Sequence, residues 1–121
     1  MLIRNILEES VRKFDEVKAV KWLKKKEIME RSYGELMENV VSTRKGLLAE
    51  GFEGKHIALI GTSSVEWMES YLGIITGCTT AVPLDAALPC EDLIDLLNRS
   101  DSVALFLSPK LKPYLDAFLE N

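Results

Sequence analysis

The hydrophobic pattern of the second half of the chain consists of short apolar runs separated by longer segments of helical periodicity. Three runs are short and largely apolar: residues 57–60, 79–84 and 103–107. Such runs are typical of strands buried on both faces of a parallel sheet. Pro83 is expected near the end of its strand, because proline cannot donate a hydrogen bond to a neighbouring strand.

A helix is predicted after each of these strands. Ser63 and Glu66 fit a capping box that opens a helix extending to about Gly77. That helix is apolar almost all round, so it is either covered on both sides or contacts a partner surface. The next helix starts after Pro89. The last begins at Ser108, with the following proline at the first helical position.

The first part of the chain predicts a helix and a hairpin. The helix is expected over residues 5–14, where Asn5 and Glu8 fit a capping box. Residues 18–23 and 27–31 then form the two arms of a short hairpin around a run of three lysines.

Ser32 and Glu35 fit a further capping box, and the helix they open ends at Gly51, a residue type favoured just after a helix. From residue 57 onward the order is β-α-β-α-β-α. Right-handed crossovers then place helices on both faces of a mostly parallel sheet. The expected fold class is α/β, a partial three-layer sandwich with a mostly parallel sheet flanked by helices. The 121 residues suffice for one domain, residues 1–121.

Composition and charge mainly exclude classes of protein. Hydrophobic residues make up 47% of the chain and charged residues 28%, which excludes a disordered chain. The net charge of −4 argues against a nucleic-acid partner, and the lysine run is expected to be a solvated turn rather than a binding patch. No segment fits a signal peptide or a membrane span, so a cytoplasmic protein is predicted.

Metal binding and disulfide formation are also disfavoured. Cys78 and Cys90 lie twelve positions apart, and the chain has one histidine, so no structural zinc site can be assembled. The two cysteines are expected to be reduced, buried thiols.

Two features at the predicted strand ends could bind a ligand. The turn at residues 61–64 precedes a helix, whose free amides could hold a phosphate, but its glycines fit neither known phosphate-loop spacing. A turn and helix cap is therefore preferred. Asp85 ends a strand, where open α/β sheets bind ligands, yet a local role bonding nearby amides is favoured.

Other singled-out residues are also expected to be structural. His56 lacks a partner in any catalytic pattern, so a structural or surface histidine is favoured. Gly73 and Gly77 are predicted to allow close packing between helix and strand, and a role in helix dimerisation is the less favoured alternative. Trp67 is expected in the core, although it could also meet a further domain. No catalytic, cofactor-binding or metal-binding residue is assigned.

Five segments together resemble the N-terminal part of the adenylate-forming superfamily, most closely its long-chain fatty acyl-CoA synthetases. They are Ser-Tyr-Gly-Glu-Leu at 32–36, the strand at 55–61, Ser-Val-Glu-Trp at 64–67, the Pro-Leu-Asp strand at 77–85 and Asn-Arg-Ser-Asp at 98–101. Ser63 stands where the family often has asparagine, and both residues cap helices well.

The resemblance implies a parent enzyme that activates a carboxylate, such as a fatty acid, with ATP and transfers the acyl group to CoA. ATP, Mg and CoA are thus implied for the parent and none for this chain, which carries none of the family's phosphate-loop or catalytic motifs. The expected partner is the remainder of the ligase. A homodimer or other non-native assembly is expected through apolar surface on the helix at residues 65–78 or a sheet edge. The alternative is a free-standing flavodoxin-like binding or interaction module.

Overall fold

The computed structural model describes residues 3–120, and its elements follow the predicted order. The helices and strands are α1 Ile3–Phe14, β1 Lys18–Lys24, β2 Glu27–Ser32, α2 Tyr33–Ala49, β3 His56–Ile60, α3 Val65–Ile75, β4 Thr80–Leu84, α4 Cys90–Arg99, β5 Ser102–Leu107, a 3₁₀ helix Pro109–Tyr114 and α5 Leu115–Glu120. None of the helices in this described range is both long enough and apolar enough to cross a membrane.

The strands form a three-stranded parallel sheet and a separate antiparallel hairpin. In the parallel sheet β3 lies in the centre, with β4 on one side and β5 on the other. The hairpin pairs β1 with β2. Its turn is formed by Lys25 and Lys26, whose φ angles of 49° and 70° are those of a tight left-handed hairpin turn. The predicted hairpin and parallel sheet are therefore confirmed, and the lysines of the turn are exposed.

The strand order places helices on both faces of the sheet. The crossover from β3 to β4 moves to one side and that from β4 to β5 moves back past β3, so right-handed connections put α3 and α4 on opposite faces. On the first face, Ile57 packs in a core cluster with Leu47 of α2 and Ile74 of α3. Leu93 of α4 is fully buried. The α/β fold with helices flanking a parallel sheet is confirmed.

The close contacts at Gly73 in α3 and at Gly77 in the turn after it are with a helix. A Cβ on Gly73 would lie 2.5 Å from the Cβ of Thr43, and one on Gly77 would lie 2.5 Å from the Cγ of Arg44. Both neighbours belong to α2, so the prediction of helix-to-strand packing is wrong. The spacing of the two glycines correctly indicated a close approach, but it could not show that the approaching element is a helix.

Two predicted helix starts are wrong. Asn5 is the third residue of α1, so it lies inside the helix and cannot be its N-cap. The α3 helix is capped by Ser64, whose hydroxyl accepts a hydrogen bond from the amide of Trp67 at 3.1 Å. Glu66 is therefore the second helical residue, and Ser63 and Glu66 do not form a box.

The last predicted helix is also different, because it is divided into a 3₁₀ helix and the short helix α5. Pro113 lies inside the 3₁₀ helix, lacks an amide hydrogen and disfavours α conformation at the residue before it. Ser108 makes no side-chain capping bond there. By contrast, the capping box of α2 is confirmed: Ser32 and Glu35 each accept a hydrogen bond from the other's amide.

Candidate functional site

The candidate site is a crevice at the carboxyl ends of β3 and β4. The segment after β3 leads to α3 on one face of the sheet, and the segment after β4 leads to α4 on the other. Ligands of open α/β sheets bind where neighbouring connections part in this way. A cavity of about 500 Å³ lies here, lined by Gly61, Thr62, Ser63, Trp67, Leu84, Asp85, Ala86 and Ala87.

The turn after β3 is shaped by close packing. A Cβ on Gly61 would lie 3.2 Å from both Ser108 and Trp67, so this residue passes tightly between the end of β5 and α3. Ser64 caps the helix, whereas Thr62 and Ser63 are exposed and line the crevice. The turn-and-cap role preferred from the sequence is observed, with the cap one residue later than predicted.

Asp85 bonds a nearby backbone amide, which is the local role that the sequence favours. Its Oδ1 accepts a hydrogen bond from the amide of Ala87 at 2.9 Å, which holds the turn after β4. Asp85 also lines the crevice, where it is the one charged residue among the lining residues that the structure describes. The structure therefore brings Asp85 together with the Gly61–Ser64 turn.

His56 lies away from this crevice, at the amino end of β3. Its Nδ1 lies 2.7 Å from the carbonyl oxygen of Ser100, so the ring donates a hydrogen bond from that nitrogen. This contact ties the start of β3 to the turn before β5. The structural role expected for His56 is confirmed.

A second, more apolar cavity of about 620 Å³ adjoins the first. It lies between the β1–β2 hairpin, the ends of β3 and β5, and α3, and it shares Gly61, Thr62 and Trp67 with the crevice. Trp67 is only half-buried and stacks on Tyr71, with ring centroids 5.2 Å apart. It is therefore a wall between two cavities rather than a core residue.

A buried polar cluster behind these cavities was missed by sequence reasoning. Glu69 is 5% exposed, and its carboxylate accepts a hydrogen bond from Asn39 at 2.8 Å and lies 3.3 Å from the Nε of Arg31. Arg31 also lies over the ring of Trp22 at 5.4 Å. The one available signal was an acidic residue in the middle of a largely apolar helix.

Burial is the largest influence on the pKa of Glu69 in this cluster. Burial raises the pKa of Glu69, an effect that the hydrogen bond from Asn39 and the charge of Arg31 partly oppose. The cluster joins β2, α2 and α3, because its three members come from these elements. It therefore fixes the hairpin, and with it Trp22, against the two helices.

The cysteines differ from their prediction. Cys78 is exposed and Cys90 is half-buried, and both are free thiols. They lie at the ends of surface turns, at the exit of α3 and the start of α4, where periodicity did not define their environment. Within residues 3–120 no group of three or more histidine, cysteine or acidic side chains could hold a metal ion.

Comparisons with known proteins identify relatives of this fold. The N-terminal domain of FACL13 from Mycobacterium tuberculosis is 20% identical, with a TM-score of 0.86 over 99% of this chain and 30% of its own. The anthranilate CoA ligase AuaEII, in complex with anthranoyl-AMP, is 17% identical, with a TM-score of 0.85 over 99% of this chain and 23% of its own. A Mycobacterium tuberculosis fatty acyl CoA synthetase is 20% identical, with a TM-score of 0.86 over 99% and 24%.

The chain thus spans less than a third of the length of each of these solved proteins. The comparison with curated proteins finds no match. The family model described as AMP-binding enzyme matches residues 7–120. Because this match extends over nearly the whole sequence, the chain belongs to the AMP-binding enzyme family.

Proposed function

We propose that this chain is the N-terminal structural part of an AMP-forming fatty acyl-CoA ligase. In that reaction a carboxylate attacks ATP, giving an acyl-adenylate and pyrophosphate, and the thiol of CoA then displaces AMP. The proposal extends to a long-chain fatty acid as substrate and to the cytoplasm as compartment. The supporting observation is the family match over residues 7–120 combined with a fold shared with CoA ligases over 99% of the chain.

The crevice supports a structural role for this part of the enzyme. A nucleoside triphosphate with Mg²⁺ needs cationic side chains or several carboxylates around it. The lining of the crevice, as far as the structure describes it, contains no lysine or arginine and a single carboxylate, Asp85. These residues do not fit ATP, Mg or CoA, so we assign none of them a step in the reaction. We place the chemistry on the remainder of the ligase.

The test is a comparison of activities with and without the rest of the enzyme. The 121-residue chain is incubated with ATP, Mg²⁺, a fatty acid and CoA, and pyrophosphate release is measured. The longer polypeptide from the same gene is measured in parallel, both intact and with residues 1–121 deleted. We expect turnover only from the intact polypeptide, because the deletion removes the scaffold and the isolated chain lacks the phosphate site.

Two results would contradict the proposal. Pyrophosphate release by the 121-residue chain alone would place the chemistry within it. A reading frame that ends at Asn121 would instead favour the free-standing binding module, whose ligand would be expected in the 500 Å³ crevice.

A further inference from the structure

The β1–β2 hairpin presents an unexpected apolar pair at its far end. Leu23 and Ile28 are directly opposite each other in the register and are 71% and 72% exposed. Because facing residues share one side of a hairpin, both side chains lie on the outer face, the face of the Lys21–Glu30 ion pair. The solvated face of an antiparallel pair is normally polar, so this apolar pair breaks the local rule.

The other face of the hairpin is already occupied. Trp22, Met29 and Arg31 are half-buried, and Arg31 is held by Glu69 beneath the hairpin. The hairpin is therefore fixed to the helices by its inner face, and the outer apolar pair is not needed for that contact. It is available for a surface outside the chain.

Two lysines adjoin this apolar pair. Lys25 and Lys26 are exposed and form the turn next to it, whereas Lys24 and Glu27 face each other in the register and alternate onto the inner face. The 3₁₀ helix contributes Lys110, which lines the same cavity as Lys24, so a second basic segment lies at this end of the molecule. This basic end is local, because the whole chain carries a net charge of −4.

We propose that the hairpin tip, defined as residues 23–28, docks on an anionic lipid surface. Leu23 and Ile28 enter the boundary between headgroups and acyl chains, and the turn lysines contact the acidic headgroups. An apolar pair beside two exposed turn lysines has the two components of interfacial binding, which scales with buried apolar area and with attraction to anionic lipid. The negative charge of the rest of the chain orients the molecule with this end toward the membrane.

Vesicle flotation tests this docking directly. The chain is mixed at low salt with vesicles of phosphatidylcholine, either pure or containing about 30% phosphatidylserine. We expect binding to the anionic vesicles only, and weaker binding as salt is added. Absence of binding to anionic vesicles at low salt, or equal binding to neutral ones, overturns the proposal.

The variant K25N/K26G removes two charges without endangering the hairpin. Both positions have positive φ, and Asn-Gly is the preferred pair for such a turn, so this variant is expected to fold at least as well as the wild type. Its affinity for anionic vesicles is expected to fall about 25-fold, since each lysine near a membrane contributes roughly a factor of five. The matched control K45Q/K55Q removes two exposed lysines elsewhere and should leave binding unchanged.

A second variant tests the apolar component. L23T/I28T keeps residues that favour strands and is expected to weaken binding even at salt concentrations that screen the lysines. Circular dichroism confirms that each variant is folded. Wild-type affinity in either tip variant, or an equal loss in K45Q/K55Q, shows that the tip is not the docking surface.

Discussion

Gly73 lies where α3 passes α2, and the two backbones approach closely there because glycine has no Cβ. An added Cβ would lie 2.5 Å from the Cβ of Thr43 and 3.1 Å from the carbonyl oxygen of Val40. Neither neighbour is the flexible end of a long side chain, so the helices themselves would have to separate. The identity of this one residue therefore sets the distance between two helices.

The substitution G73A should destabilise the chain by about 1–2 kcal/mol. Overpacking costs about 1–3 kcal/mol, and the better helix propensity of alanine offsets less than about 1 kcal/mol of that cost. The matched control is G46A in α2, where a new Cβ meets nothing within 4 Å and should stabilise by roughly 0.5–1 kcal/mol. Urea unfolding measures both. Equal stabilities of the two variants would show that the α2–α3 distance adapts freely.

Glu69 should make stability depend on pH. Burial raises its pKa above the ordinary value of 4.5, so the folded chain holds a proton at pH values where the unfolded chain has lost it. The contribution of Glu69 to the free energy of unfolding therefore falls as the pH rises from about 4.5 through the raised folded pKa. E69Q keeps an acceptor for Asn39 and lacks this titration.

The measurement is urea unfolding of the wild type and E69Q between pH 4.5 and pH 7. The wild type is expected to lose stability relative to E69Q across this range. If it gained stability instead, the attraction of Arg31 would outweigh the burial of the carboxylate.

The hydrogen-bond partners of polar residues could be predicted from the sequence only where the partners lie a few positions apart. The Ser32–Glu35 box was found because both members lie three positions apart. The Glu69 cluster was missed because Asn39 lies 30 residues away, and nothing local requires them to meet. Asp85 of the crevice was anticipated because a strand end is visible in the sequence, whereas Trp22, which lines the second cavity, was not.

At the scale of elements, local periodicity was sufficient to find the helices and strands but not their first residues. Two adjacent serines precede α3, and sequence reasoning selected Ser63 because Glu66 lies three residues later. The extended backbone of Ser64 makes it the N-cap. The choice depends on where β3 ends and on the tight passage at Gly61, and neither is encoded in the capping pattern.

The pair S63A and S64A separates these two possibilities. S64A should cost about 1 kcal/mol, because it removes the acceptor for the Trp67 amide. S63A should change the free energy of unfolding by less than about 0.5 kcal/mol, as is usual for an exposed residue. Thermal or urea unfolding distinguishes them, and the reverse order would restore the capping box predicted from the sequence.

The whole molecule exposes more surface than its mass predicts. Its accessible surface is 8061 Å², whereas a compact monomer of 13.6 kDa is expected to expose about 6,600 Å². Large hydrophobic residues are exposed on α1, at the hairpin tip and on α5, including Ile3, Ile6 and Leu119. None of those described as exposed belongs to α3, whose Trp67 and Tyr71 are half-buried, whereas Val103 lies on the edge strand β5 and so fits the sheet edge that was the predicted alternative.

Self-association of the isolated chain remains our prediction, through exposed apolar residues such as those on α1, α5 and the edge strand β5. Exposed apolar patches favour contacts between copies when no further domain covers them. Sedimentation velocity over a range of concentrations should show the average mass rising with concentration. A single monomeric species at the highest concentration would contradict this prediction and show that these side chains stay exposed to solvent.

The alternation of strands and helices was predictable because each element carries its own pattern, but the order of the strands was not. Placing β3 between β4 and β5 depends on contacts across the sheet, which no local pattern records. The crevice could not be predicted from the sequence for the same reason, because it forms only where β3 and β4 are neighbours.

The central position of β3 also affects synthesis on the ribosome. Its last four residues are almost completely buried, yet both neighbouring strands come later in the chain. Translation of the roughly 45 residues to the end of β5 takes about 2–9 s at about 5–20 residues per second. During that interval Ile57, Leu59 and Ile60 lack one or both neighbours, and we expect the nascent chain to engage chaperones that bind apolar peptides until β5 emerges.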